Sequence, residues 1–403
     1  MSGTVEKDES FSHSVIDAFK RGSKKGISAS NLFERFGLTS NPFDTNTLIG
    51  NPDLVTEETK IVVNKLAERI GACYHSQKSL LVIGAEGSGR TSILKLLNAT
   101  LNIGFDKNFS TYIHAPTTWS GFLFKDQRGQ QQQEQEDGGC QDSDDDRVID
   151  AFQKWMTESD FSTTKIILID DADAFSSKIG QYTNAIRFEH LQVPTMVFCI
   201  SPLTQSHITK SELFNEIFAD AFWMITSDKD NIKQIILKSI EAVKTTTFSP
   251  FDDSAIDTIA DYSLGLPGQA ARLALLSLKD AYQIGINTIN AKLVERVASN
   301  QGYDVARKIT RKEIKLDGTK YNIALEILTQ FLIQGRNVER TFIISRFSDM
   351  ATSTLSYHLK DLINTGVIKQ ERIGYKVFYV MPRPVRTALE IMTLPSLEAG
   401  LDN

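Results

Sequence analysis

Cysteine is scarce in this chain: among 403 residues only Cys73, Cys140 and Cys199 carry a thiol, and no two stand at C-x-x-C spacing. A disulfide framework and a zinc site are therefore not expected, and the three read as small hydrophobes or surface thiols. Long apolar runs are missing too. No stretch approaches the ~18 residues that cross a bilayer, and the start MSGTVEKDES lacks the apolar core of a signal peptide. The expected location is cytoplasmic, with no membrane partner. Compositional extremes are also absent, since 41% hydrophobic and 23% charged residues exclude wholesale disorder and permit sizeable cores. A length of 403 residues predicts two or three such cores rather than one.

What is present is unevenly placed. The formal charge is -6, yet residues 304–392 hold 15 Lys+Arg against 9 Asp+Glu, a local +6 that leaves -12 for the remainder. An acidic body joined to a module facing a polyanion has this signature. Residues 1–30 form a polar tail ending in Lys20, Arg21, Lys24 and Lys25. Between 125 and 147 the run KDQRGQQQQEQEDGGCQDSDDDR has too little apolar surface to offset its ordering entropy and reads as a disordered insertion. Around it, short apolar runs at 79–83, 110–114, 165–169, 195–200 and 221–225 alternate with helical patterns, which predicts buried parallel strands in an α/β sheet. The pattern becomes wholly helical over 228–303, with starts at Ser227 or Asp228, between Ser249 and Asp253, and at Leu266-Pro267. From about Tyr321 to Met381 it reads helix, helix, helix and two strands, within a module placed at 304–392 and followed by a tail over 393–403.

The predicted strand Ser79–Ile83 runs into Gly84-Ala85-Glu86-Gly87-Ser88-Gly89-Arg90-Thr91 and then into an amphipathic helix beginning with Ser92. This is the setting of a phosphate-binding loop. Its glycines let the backbone N–H groups turn toward a β-phosphate, the helix start adds a positive dipole end, and Thr91 supplies a hydroxyl for Mg²⁺. Gly84, Gly87, Ser88, Gly89, Arg90, Thr91 and Ser92 are thus expected to hold ATP or ADP. Arg90 stands where G-x-x-x-x-G-K-[ST] has lysine; a guanidinium keeps the charge but is bulkier and planar, so binding can survive while turnover falls. A second apolar run ends in Asp170-Asp171-Ala172-Asp173. In that arrangement Asp170 would hold Mg²⁺ and Asp171 would polarise the attacking water.

With these two motifs the chain resembles an AAA+ ATPase of the broad group containing archaeal origin-recognition initiators and the related ATPases of DNA transposition and secretion. The likeness covers roughly residues 31–300. It implies an AAA+ P-loop parallel sheet over 31–227, a helical lid domain over 228–303 and a role in DNA replication or remodelling. Phe36-Gly37-Leu38-Thr39-Ser40-Asn41-Pro42-Phe43 is similar to the segment that precedes the loop in that group, so the resemblance puts Asn41, Pro42 and Phe43 near the adenine. Phe198-Cys199-Ile200-Ser201-Pro202 is similar to the first sensor strand, making Ser201 the candidate γ-phosphate sensor. Gly265-Leu266-Pro267-Gly268 opens what resembles the second sensor helix, but position 268 is glycine where an arginine is usual, and Arg272 stands one turn later as its substitute. Residues 203–223 contain no arginine to act as a finger. Together these departures imply a slow hydrolase used as a nucleotide-dependent switch.

The C-terminal module resembles a winged helix-turn-helix. Its third helix, from Ala351 to Ile363, buries Leu355, Leu359, Leu362 and Ile363 and turns Thr352, Ser353, Ser356, Tyr357 and Lys360 outward. Such a helix fits the major groove of double-stranded DNA. A hairpin turning near Ile373-Gly374 would set Arg372, Tyr375 and Lys376 on a wing beside the phosphates. Two functions follow: an initiator-like, nucleoid-associated DNA-remodelling ATPase, or a winged-helix transcriptional regulator whose ATPase body senses nucleotide without catalysis. Self-association and protein partners on DNA stay open.

Overall fold

The computed structural model describes residues 29–44, 55–105, 108–114, 164–175, 194–208, 217–334 and 337–394. The 125–147 insertion, most of the 1–30 tail and the chain beyond Leu394 lie outside the described residues.

Five parallel strands form the first layer: β1 (Ser79–Ile83), β2 (Ser110–His114), β3 (Ile166–Asp170), β4 (Thr195–Ile200) and β5 (Phe218–Trp223), in the order β2-β3-β4-β1-β5. Every residue of β1, β3 and β4 is buried, as strands covered on both faces require, and this is why they read as unbroken apolar runs. The edge strand β5 begins at Phe218, three residues before the predicted Ala221. Its burial is mixed, and the mid-strand Asp220 is ion-paired with Arg69, so no apolar run marks its start. Helices α1 (Ala29–Arg35), α2 (Glu57–Ser76), α3 (Arg90–Gly104) and α4 (Pro202–Ile208) accompany the sheet in sequence. The Thr56 hydroxyl caps α2 by accepting the Thr59 N–H at 3.3 Å, and Ile93, Leu94 and Leu97 of α3 join Leu66 and Ile70 of α2 in one core with the sheet.

Four helices follow: α5 (Lys229–Glu241), α6 (Asp253–Tyr262), α7 (Pro267–Ile284) and α8 (Ala291–Gln301). Each begins where the sequence offers a start signal. Asp228, Asp252 and Asn290 accept the N–H three residues on at 2.7, 2.7 and 3.1 Å, while Pro267 occupies the first turn of α7, where its missing N–H costs nothing. Leu32 and Phe33 of α1, with Phe36 and Leu38 behind them, are buried in this helical core. The Thr39 N–H donates to the Val243 carbonyl at 2.8 Å, fastening the segment before the loop to the end of α5.

The last unit comprises α9 (Tyr303–Thr310), α10 (Gly318–Gln334), β6 (Val338–Glu339), α11 (Arg340–Arg346), α12 (Thr352–Asn364), β7 (Lys369–Ile373), β8 (Lys376–Val380) and α13 (Arg383–Thr393). Its strands form an antiparallel sheet in the order β6-β8-β7. The three helices and the hairpin are those expected from the pattern; β6, α9 and α13 are additions to it. Leu203 of α4 lies in the same core as Leu355, Leu359, Val385 and Leu389, so the last unit is packed directly on the sheet layer.

Candidate nucleotide site and nucleic-acid face

The strand order sets the ends of β3 and β1 on either side of β4, so the loop after β1, the acids after β3 and Ser201 after β4 meet at the C-terminal end of the parallel strands. In the loop, Gly87 and Gly89 take φ of 90° and 92°, a left-handed geometry that favours glycine. Gly84 is held by proximity: a Cβ there would stand 2.6 Å from Ser88 Oγ.

The loop's helix start and the end of β3 meet. Thr91 Oγ1 donates to Asp170 Oδ2 at 2.6 Å, and the Tyr112 hydroxyl, from β2, donates to the same oxygen at 2.9 Å. Burial, and then the Asp170 charge, push the Tyr112 phenol well above its ordinary value, keeping it a donor. Asp170 is wholly buried. Arg90 lies mostly buried, with Nη2 3.4 Å from Asp171 and Nη1 3.9 Å from Asp173. Asp173 also accepts the Ser201 N–H at 2.7 Å and the Thr204 hydroxyl at 2.5 Å, and the Ser201 hydroxyl lies 3.1 Å from that of Thr204. Arg90, Asp171, Asp173, Ser201 and Thr204 form one network across three strand ends. Asp171 holds a φ of 51°, the left-handed region, as the chain turns out of β3.

Several expected residues make contacts of their own within the chain. The helix α7 touches the loop through its first residues: the Gly268 N–H donates to the Gly87 carbonyl at 2.8 Å, and a Cβ on Gly268 would stand 2.8 Å from Gly87 Cα. Glycine at 268 is thus what permits this approach. Arg272, one turn on, lines a cavity of about 250 Å³ with Tyr303, Lys369, Glu371 and Arg383. Asn41 closes its own turn, accepting the Phe43 N–H at 3.0 Å; Pro42 is buried and Phe43 packs on the helical core. Ser88 is buried and Ser92 half-buried.

Four residues at this site escaped the sequence reading: Tyr112, Gln269, Thr387 and Glu390. Gln269 Nε2 donates to Thr387 Oγ1 at 2.7 Å, and the Glu86 N–H donates to Glu390 Oε2 at 2.5 Å. Burial, ahead of any neighbouring charge, raises the Glu390 carboxyl to about 8. Asp173 had a local signal, as the last acid of the strand-end cluster.

On the C-terminal unit, α12 exposes Thr352, Ser353, Tyr357 and Lys360, with Tyr357 69% accessible. Ser356 is half-buried and its Oγ accepts from Arg340 at 3.1 Å. On the hairpin, Arg372 and Tyr375 are exposed, while Lys376 Nζ bonds Glu339 at 2.9 Å because β6 pairs beside β8.

Fold and loop together define an α/β protein built on a glycine-rich phosphate loop. The family described as "AAA domain" matches residues 73–199, which hold the loop and the acids after β3. A curated relative, an uncharacterized HTH-type transcriptional regulator of Methanocaldococcus jannaschii, is 25% identical over 232 residues, covering 56% of this chain and 54% of the relative. The chain thus spans about half the length of the curated relative it matches. Among solved structures it is similar to the Aeropyrum pernix ORC1 protein in complex with DNA, at 13% identity and a TM-score of 0.47, with 85% of this chain and 95% of that one covered. It is also similar to Cdc6p from Pyrobaculum aerophilum, at 14% identity and a TM-score of 0.43, covering 87% and 97%. No helix among the described residues is long and apolar enough to cross a membrane.

Proposed function

We propose that this chain binds ATP and Mg²⁺ in its AAA domain and double-stranded DNA through a winged-helix unit at 304–392, and that it works as an initiator-like or DNA-remodelling switch with slow hydrolysis. The observation that carries the nucleotide half is the 2.6 Å bond between Thr91 and Asp170, which joins the loop to the buried acid of β3. A hydroxyl and a carboxylate converging at a phosphate loop are a donor set suited to Mg²⁺, and Thr91 and Asp170 would hold it. Bound there, the ion would neutralise charge on the phosphates. The N–H groups from Gly87 to Thr91 would bind the phosphates, Asp171 would orient the attacking water and Ser201 would sense the γ-phosphate. Slow turnover follows from Arg90, whose guanidinium is committed to Asp171 and Asp173.

For DNA, the support is the exposed polar stripe of α12, the exposed Arg372 and Tyr375 and the local charge of +6. On this reading the protein acts in the cytoplasm, on the nucleoid. Titration of labelled ATP with Mg²⁺ tests the nucleotide half: Thr91→Ala and Asp170→Ala should both weaken binding, and unchanged affinity in both would remove the assignment. The second reading, a transcriptional regulator with a nucleotide-sensing but non-catalytic body, is favoured by the name of the Methanocaldococcus relative. Steady-state hydrolysis with and without duplex DNA separates the two, since only the first expects turnover that DNA alters.

A further inference from the structure

Helix α13 presents two stripes to two different partners. Val385, Ala388 and Leu389 are fully buried in the core of the C-terminal unit. The other stripe, Arg383, Arg386, Thr387 and Glu390, recurs at helical spacing and lies against the phosphate loop. There it grips one residue by every polar group it has. The Glu86 N–H donates to Glu390 at 2.5 Å, the Glu86 carbonyl accepts from Thr387 at 3.3 Å and from Gln269 at 3.4 Å, and the Glu86 carboxylate pairs with Arg383 and, at 3.8 Å, with Arg386. Gln269 in turn bonds Thr387, so α7, α13 and the loop close on one another.

We propose that α13 is an autoinhibitory clamp: its docking on Glu86 and the arrival of nucleotide phosphates at the adjoining loop residues are competing states, so that nucleotide releases the C-terminal unit from the sheet. The proposal rests on the reading of Gly84 to Thr91 as a phosphate loop.

The charge distribution supplies the competition. Glu390 is 1% exposed and stands with Asp171 and Asp173 around Arg90, whose guanidinium is already paired with the two aspartates. A triphosphate adds several negative charges beside Asp171, Asp173 and the Glu86 carboxylate, and like charges brought together at low dielectric raise each other's energy steeply. Glu390 acts as the acceptor that occupies the Glu86 N–H rather than as a charge. Arg90 Nη1 is buried without a hydrogen-bond partner among the described residues and stands 3.9 Å from Asp173, so a phosphate oxygen arriving there would compete with both aspartates for the guanidinium. Glu390 can reach solvent only if α13 lifts, and α13 carries Val385, Ala388 and Leu389 of the C-terminal core with it. The switch therefore moves a unit rather than a side chain.

The test uses the full chain, calorimetric titration with Mg-ATP, and hydrogen exchange at residues 383–393. Glu390→Ala, which removes the acceptor for Glu86, should tighten Mg-ATP binding at least about fivefold, the low end of ordinary coupling between sites. Arg383→Glu, at an exposed position, should do the same by repelling Glu86 and serves if the buried variant folds poorly. Saturating Mg-ATP should in turn speed exchange across 383–393 in the wild type and not in Thr91→Ala. Equal Mg-ATP affinity in wild type, Glu390→Ala and Arg383→Glu, with exchange unmoved, overturns the clamp while Thr91-dependent binding keeps the phosphate loop. Absence of Mg-ATP binding in all forms, or equal binding by Thr91→Ala, overturns the phosphate loop and the clamp with it.

Discussion

At the phosphate loop the chain partners many of its own polar groups, Thr91 with Asp170, Arg90 with Asp171 and Asp173, Glu86 with Glu390, Gly87 with Gly268, although Ser88 Oγ and Arg90 Nη1 are buried without a hydrogen-bond partner among the described residues. On α12 and the hairpin, Thr352, Ser353, Tyr357, Lys360, Arg372 and Tyr375 stand in solvent instead. A site most of whose groups are partnered binds in part by exchanging partners, which makes occupancy visible elsewhere in the molecule. A face whose groups are free can bind without rearrangement. On the proposed function the first would be the switch and the second the reader.

The contrast can be strained at its strongest point first. Leu389→Ala empties a fully buried position in the core that α13 shares with α12, and urea denaturation should show a loss of about 2–5 kcal/mol. Tyr357→Ala, on the exposed face, should leave the urea midpoint nearly unchanged. A large loss there would mean that α12 is not a free face.

Next comes pH. The Glu390 carboxyl is raised by burial to about 8 against an ordinary 4.5; Arg90 and the Glu86 N–H lower it, and the Glu86 and Asp173 charges raise it. The folded chain therefore holds this proton more tightly than the unfolded chain does. The stabilisation is complete below about 4.5 and is lost as pH rises toward 8. Wild type should lose stability between pH 5 and 8 relative to Glu390→Gln, which keeps an acceptor oxygen but does not titrate. Parallel pH profiles would show that the carboxyl is not buried against the loop.

Smaller effects sharpen the reading face. Tyr357→Ala or Ser353→Ala should alter discrimination between duplex sequences by roughly 1–3 kcal/mol if α12 meets base edges, whereas Arg372→Ala should weaken all sequences alike and reduce the salt slope by about 1. Band-shift titrations over a salt series measure both. Smallest is Asp252→Ala, which removes the cap of α6 and should cost about 1 kcal/mol, remote from both regions. A change in DNA affinity in that variant would break the separation drawn here.

The sequence reading was strongest where chemistry is local. Strands β1, β2 and β4 begin and end where their apolar runs do, and the helix starts at Asp228, Asp252 and Pro267 follow from capping oxygens and a proline. The loop and the acids after β3 were legible as motifs, although their meeting at Thr91 and Asp170 requires β1 and β3 to flank β4. Tyr112 was invisible because it sits in a run that reads as core, and only the parallel register of β2 with β3 turns its hydroxyl onto Asp170. Helix α13 was missed altogether. Its amphipathic period is pronounced and Pro382 and Pro384 stand at its start, where a helix tolerates proline, so the sequence did carry a signal for it. Glu390 followed from that omission, as did the reach of Arg383 and Arg386 to Glu86.

The central claim is that the phosphate loop and the α12 face communicate through α13, and duplex affinity measured with and without saturating Mg-ATP tests it most directly. The account predicts that Mg-ATP shifts the Kd of the full chain for duplex DNA at least about fivefold and that Thr91→Ala abolishes the shift. An identical Kd in the two conditions, with Mg-ATP demonstrably bound, would contradict it.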